Sequence, residues 1–482
     1  PWTLESCVVA RSVRMASRNR CTSGHEQQFE NSSAVLQKIA GLYADRLLSD
    51  ITLEVGGKQY AAHRLILCAS SDVFQVMLMD PKWSSSRTSH IKLKEEPLCE
   101  SVFGDFLGYL YTGRMRVDHL RVLPLVALAD KYNVKDLMRL CVSYMAHHIV
   151  SAACHNQLVS WYRYALNCGS TAVHKVFSNF IAWNFELVAN REDFGKIDLD
   201  VLTSFLSRSD LVIASEFKLF NYAVRWLSLQ EPWPQCTRPG NEEAFGQLVS
   251  QVMAHVRFPM LTNNELNGLF THPLVVRFKS IFFNRLMVAR DFQTRALTNG
   301  FWRQWPELMM PRIYTSDAWS ASLCIDNYSC CTRFGVHTLI FMTPASLSGA
   351  LADKVLEWTV DLYPKGVLFH GFLLIALRET LEGPESQAKT VRLSLTSSRF
   401  NEDTTVVVSV LVSGMQDGVE HVRTVVQREH TFTQESRMLN LDDLVPYAEL
   451  NDVPRGASPF LVGPHRDLFR LRISVTPLCR KS

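Results

Sequence analysis

What this sequence lacks narrows its function first. Its 12 cysteines form no CxxC pair, so the spacings of zinc ribbons and thioredoxin-type redox sites are missing. No apolar stretch approaches the roughly 18 residues of a membrane-spanning helix. No GxxxxGK[ST] loop, GxGxxG loop or HExxH helix occurs, which leaves nucleotide binding and zinc proteolysis without an anchor. A Gly-x-Ser-x-Gly elbow is also missing. The net charge is only +3 over 482 residues, too little for the electrostatic footprint of a nucleic-acid or acidic-membrane binder. There is no internal repeat. With no catalytic constellation, neither an enzyme nor a cofactor is expected. His147, His148 and His155 lie close together but lack Cys or carboxylate at ligand spacing, so no metal site is expected. Lys92, Lys94, Arg114, Arg116 and Arg121 read as a solvated face.

What is present fits a chain of about three globular domains. Hydrophobic residues make up 47% and charged residues 20%, an ordinary soluble balance. The cysteines sit singly in apolar surroundings, as at Cys68, Cys141 and Cys168, and read as reduced buried thiols. Cys330 and Cys331 are adjacent, a spacing that disulfide geometry fits poorly. The sequence opens on Pro1, and Met15 is its first methionine. Residues 1–14 read as an upstream extension or part of a longer chain, without the apolar core of a signal peptide. Two sequons, at Asn31 and Asn327, carry no weight alone.

Periodicity then divides the chain. Residues 15–30 are polar and read as disordered. Val35, Leu36, Ile39, Leu42 and Tyr43 recur on one helical face, with Ser33 placed to cap it. Ile51, Leu53 and Val55 alternate with polar neighbours as in a half-buried strand, Gly56-Gly57 makes the turn, and 58–62 returns. Helices follow at 65–69 and 72–78, the second capped by Ser71. A strand at 90–93 precedes a helix opened by Pro97 and closed by Gly113, with Leu98, Val102, Phe103, Phe106, Leu107 and Leu110 inward. Helices are expected at 119–132 and 134–148, and residues 150–290 read as nearly all helix, broken by a loop around Pro232, Pro234, Pro239 and Gly240. After a junction at 291–312 containing Trp302 and Trp305, runs rich in Val, Leu, Thr and Phe at 337–342, 355–362, 367–377, 391–395, 405–412 and 419–426 predict strands. Roughly eight short strands in such a length suggest a β-sandwich.

Several separated motifs occur in one order: Leu48-Ser49-Asp50-Ile51, His63-Arg64-Leu65-Ile66-Leu67, Ser70-Ser71-Asp72-Val73-Phe74 and Tyr109-Leu110-Tyr111-Thr112-Gly113. Together they resemble a BTB/POZ domain. Ser209-Asp210-Leu211-Val212 and 216–226 resemble the core of a BACK domain, and 358–366 with 471–475 a TRAF/MATH-type sandwich. The whole order resembles the BTB/POZ domain-containing protein 17 family. The implied fold is multidomain: a disordered segment 1–30, an α+β BTB/POZ domain 31–148, an all-α BACK domain 149–290, a junction 291–312 and an all-β TRAF/MATH-like sandwich 313–482.

The resemblance also implies roles. Val35, Leu36, Ile39, Leu42 and Tyr43 would face a partner helix in a BTB homodimer, or else pack on their own domain. Asp50 and Arg64 match paired charges near the dimer groove, or form an ion pair that holds the fold. His63 reads as a packed, hydrogen-bonded residue. Phe103-Gly104-Asp105 aligns with the cullin-binding signature of BTB adaptors, with Asp in place of Glu and Gly between. Phe103 is either an anchor for cullin-3 or plain core. The sandwich would hold an unknown protein client, and Trp358 reads as a core aromatic. The implied function is a dimeric, non-enzymatic cytoplasmic adaptor linking that client to a cullin-3 ubiquitin ligase. The alternatives are a secreted binding glycoprotein of the galectin-binding type and a scaffold without a ligase role.

Overall fold

The computed structural model describes residues 30–82, 88–167, 171–230, 241–294, 306–349, 354–369, 373–376, 379–382, 386–397, 403–454 and 456–478. The expectations for residues 1–29, for the loop 232–240, and for Cys168, Trp302 and Trp305 fall outside these. The chain divides into two compact units, Pro1–Met115 and Arg116–Ser482.

The first unit opens with α1 (Ser32–Asp45). Asn31 occupies the cap position without a side-chain bond, and Ser33 lies inside the first turn, so it does not cap. β1 (Ile51–Val55) buries Ile51, Leu53 and Val55 on one face, as its period of two requires. It pairs antiparallel with β2 (Lys58–Ala62) and parallel with β3 (His90–Leu93). α2 (Arg64–Ser70) and α3 (Asp72–Met79) lie between. The Ser71 hydroxyl accepts the Phe74 N–H at 3.0 Å and starts α3, satisfying one of the donors a helix start leaves free. α4 (Pro97–Thr112) carries Pro in its first turn and ends at Gly113, whose φ of 62° is left-handed; glycine adopts that conformation at no steric cost. Its inward face holds Val102, Phe103, Phe106 and Leu107 as expected, but Leu98 is exposed and Leu110 half-buried. Tyr109 and Tyr111 are buried in addition.

The second unit begins with helices Val122–Lys131 and Lys135–His147 and continues helical to Thr294. Two expected helices each split. The run 173–185 breaks at Asn184, which leaves helical angles and pairs its side-chain amide with the main chain of Val422 at 2.8 and 3.0 Å. The run 273–288 breaks at Phe278, which leaves helical angles and packs on Phe245 with ring centroids 5.8 Å apart. The helical region is not purely α. Val212–Ile213 form a short strand that pairs parallel with Ile313–Tyr314, just past the junction.

Two sheets follow. One has four strands in the order 438–441, 392–397, 355–363, 337–344. The other runs 419–432, 404–416, 468–477, 461–462, with 320–326 also pairing to 468–477. Between the sheets pack Val360, Leu393, Leu395, Val408, Val410, Ile473 and Val475, the interleaved inner faces of a sandwich. Trp358 is fully buried there, and its indole N–H donates to the Thr343 hydroxyl at 2.8 Å. The strands Ser320–Asp326 and Met438–Leu441 lie outside the expected runs.

Candidate protein-interaction sites

The α1 stripe divides along its length. Val35 and Leu36 are more than half exposed, Ile39 and Leu42 half-buried, and no residue of α1 is fully buried. Tyr43 turns inward: its ring stacks on Tyr111 at 4.9 Å and its hydroxyl donates to the Gly104 carbonyl at 3.1 Å. It ties α1 to α4 of its own unit. The first helical turns therefore present apolar surface, and the last turn supplies the attachment. Leu47, Leu48 and Leu65 are also exposed. A periodicity argument misses Leu47 and Leu48 because they lie past the helix end, where Leu48 has a φ of 60°.

His63 holds that loop. Its Nε2 lies 2.7 Å from the Leu47 carbonyl, which can only accept, so Nε2 carries the proton. The Tyr111 hydroxyl then donates to Nδ1 at 2.9 Å and accepts the His63 main-chain N–H at 2.8 Å. Burial pushes the Tyr111 phenol up to about 12, so it remains a donor at neutral pH. Asp50 and Arg64 meet through the main chain: the carboxylate accepts the Arg64 backbone N–H at 2.8 Å and caps α2 from outside. The guanidinium reaches the carbonyls of Leu78 at 3.1 Å and Thr88 at 2.6 Å. These charges clasp the loop ends of the fold.

Of the two readings of Phe103, its burial matches plain core. It is fully buried, between Tyr60 at 5.4 Å and Phe106 at 5.8 Å, measured between ring centroids. A side chain enclosed in this way cannot fill a partner's pocket without opening the core. Asp105, two positions on, points outward and is exposed. Gly104 has its own steric reason, since a Cβ there would lie 3.3 Å from Tyr60 Cε1. On α3, Val73, Val76 and Met79 are exposed at three-residue spacing, which puts them on one helix face.

The second unit is organised around Glu216. Its carboxylate is fully buried and receives Arg312 Nε at 3.1 Å, the Tyr314 hydroxyl at 3.0 Å and the Arg257 main-chain N–H at 2.7 Å. Arg312 is also fully buried and donates to the carbonyls of Arg208 and His255. Burial pushes the Tyr314 phenol well up, and the Glu216 charge adds to it. Arg257 donates to Met310, Ser207 and Arg208 carbonyls and to the Ser209 hydroxyl, and burial lowers its guanidinium to about 10. The helical region and the strands after 312 thus share one satisfied charge network. Asn184 adds a second tie, its side-chain amide pairing with both main-chain groups of Val422 at 2.8 and 3.0 Å. None of this is legible in sequence, because Glu216 and Arg312 stand 96 positions apart. His147 and His155 bond to carbonyls of their own helices, and His148 to Asp417 at 3.1 Å. Among the described residues no group of His, Cys, Asp and Glu could hold a metal ion, and no helix is long and apolar enough to cross a membrane.

Comparison with known proteins agrees with this architecture. Residues 41–149 match the BTB/POZ domain, 158–271 the BACK (BTB And C-terminal Kelch) domain, and 309–479 the BTBD17 TRAF domain. Human BTB/POZ domain-containing protein 17 is 28% identical over 462 residues, covering 93% of this chain and 89% of that protein. The Xenopus tropicalis protein of that name is 24% identical, covering 93% and 92%. Cattle galectin-3-binding protein is 27% identical over 308 residues, covering 63% of this chain and 51% of that protein. Three matched domains in this order make the chain a BTB–BACK protein with a C-terminal TRAF domain, similar along nearly its whole length to BTB/POZ domain-containing protein 17.

Proposed function

We propose that this protein is a cytoplasmic, non-enzymatic adaptor that dimerises through its BTB domain and recruits a protein client to a cullin-3 ubiquitin ligase. The dimer contact would use the exposed turns of α1 at Val35 and Leu36, with Ile39 and Leu42 at their margin and Tyr43 as the internal attachment. The client would sit on the TRAF domain. The mechanism is proximity: the client is held beside the charged ubiquitin carrier, and two linked copies add avidity.

The observation that carries the ligase reading is the apolar face left open on α3. With Phe103 in the core, Val73, Val76 and Met79, exposed by 38%, 52% and 65%, supply the apolar contact, and Asp105 the charge at the signature's acidic position. Small apolar anchors of this kind dominate interface energies when they become fully desolvated. The test is calorimetric titration of the full chain with the cullin-3 N-terminal domain, with light scattering to establish the mass of each sample. Val76→Asp with Met79→Asp should weaken binding by roughly tenfold or more, about 1.4 kcal/mol, without altering the mass. Failure of the wild-type dimer to bind removes the ligase role and leaves a scaffold or a secreted binding protein. Equal binding by the variant removes the assignment to α3.

A further inference from the structure

The two sheets of the TRAF domain are protected unequally at their edges. A free edge strand offers unpaired N–H and C=O groups to any other strand, and proteins usually blunt such edges with charge, brevity or covering. The edge strand Val419–Phe432 carries Glu420, Arg423, Arg428 and Glu429, and Asn184 occupies the main chain of Val422. Met438–Leu441 is only four residues long and Leu461–Val462 only two, and Ser320–Asp326, which among the described strands pairs only with 468–477, closes on the charged Asp326. His337–Pro344 is different. It is eight residues long, ends the four-stranded sheet, and contains no Asp, Glu, Lys or Arg. Its one described neighbour strand is Val355–Tyr363.

Its outer face is also apolar. Leu339 and Phe341 pack inward on the sandwich core, whereas Ile340 is 61% and Met342 55% exposed. Val336 just before the strand and Val355 opposite Pro344 are exposed too. The helical region packs on the other sheet, where Val212 and Ile313 meet Leu411, with Trp183, Val422 and Val425 against them. Its last helix also reaches the loop after this strand, where Gln293 bonds to Leu347 and Gly349 and the Ser348 hydroxyl donates to the Gln293 carbonyl, yet Ile340 and Met342 stay exposed.

We propose that His337–Pro344 pairs antiparallel with the same strand of a second copy of this chain, joining two four-stranded sheets edge to edge. The strand suits itself as partner. It has no Asp, Glu, Lys or Arg to set like charges opposite each other, which would oppose isologous pairing. A register centred on Phe341 places Ile340 of each copy beside Met342 of the other, on one face. Pro344 lacks an N–H and ends the ladder. An uncharged eight-residue edge with so few exposed apolar side chains covers well under the ~800 Å² per partner of a stable free complex. The contact is accordingly weak and concentration-dependent, and it adds a second association to whatever the BTB domain supplies.

The test is sedimentation velocity on the full chain over a wide range of concentration, comparing wild type with Ile340→Lys plus Met342→Lys. The wild type should show a mass that rises with concentration, and the variant should hold one mass throughout, with self-association weakened roughly tenfold or more. If the lysine pair fails to fold, Ile340→Thr with Met342→Thr, which keeps strand propensity, gives the same readout. A wild-type mass that stays constant overturns the proposal and points to a strand from another protein, or none, at this edge. A variant that assembles like wild type overturns it as well. Neither readout depends on the BTB dimer, since loss of that contact changes the starting mass of both proteins alike.

Discussion

Replacing Glu216 with Gln keeps the shape of a fully buried side chain and removes its charge. Arg312 then remains with no exposed surface, bonded to the neutral carbonyls of Arg208 and His255. Leaving a buried charge without its counter-charge costs about 3–5 kcal/mol. For a unit spanning Arg116–Ser482, an unfolding entropy of about 2.1 cal/mol/K per residue makes each kcal/mol worth about 1.3 °C, so the second unit should melt roughly 4–7 °C lower. Glu216 also holds Tyr314 and the Arg257 main chain, and Arg312 immediately precedes the strand that pairs with Val212–Ile213. The loss should therefore loosen the helical region from the sandwich as well as weaken each. Calorimetry, with circular dichroism followed at helical and strand wavelengths, reads both effects: one transition in the wild type, and a lower, divided one in Glu216→Gln. The Arg312→Met change completes a double-mutant cycle. The double variant should be less destabilised than the two single losses together, with a coupling of about 1–3 kcal/mol. A cost for Glu216→Gln below about 1 kcal/mol, within the range of ordinary substitutions, would refute the reasoning. So would strict additivity with Arg312→Met.

Two further outcomes follow from the first unit. Phe103→Ala should lower its stability by about 3–5 kcal/mol through an internal cavity; denaturant titration checks this, and a variant of unchanged stability would show that the ring is not core. Burial holds the Tyr111 phenol near 12 in the fold, against an ordinary value near 10. The protonated form belongs to the folded state, so its contribution is complete below pH 10 and is lost as pH rises from about 10 towards 12, where the unfolded chain ionises first. A two-unit difference corresponds to about 2–3 kcal/mol. Urea midpoints that stay flat from pH 9 to 11 would contradict it.

Local pattern was enough to determine much of this protein. The alternation of Ile51, Leu53 and Val55, the cap at Ser71, and the Pro97 and Gly113 that bracket α4 each follow from a few neighbouring residues. So does the change from helical to strand periodicity beyond the junction. These are short-range preferences of backbone and side chain, and adjacent sequence carries them. Trp358 also reads correctly, because a large aromatic in a strand run needs a core to enclose it.

Tertiary structure alone decided which apolar residues stay open to solvent and where the charged ones find their partners. Phe103 and Met79 are both hydrophobic residues on helices, yet one is enclosed by Tyr60 and Phe106 and the other lies open. Tyr43 belongs to the same stripe as Val35 but stacks on Tyr111. Arg64 turned its charge to loop carbonyls, and Glu216 found Arg312 in the segment leading to another domain. Burial and pairing depend on what arrives from distant parts of the chain. The periodicity of a helix or strand specifies which side chains share a face, and only the packed fold specifies whether that face meets a neighbouring element or water.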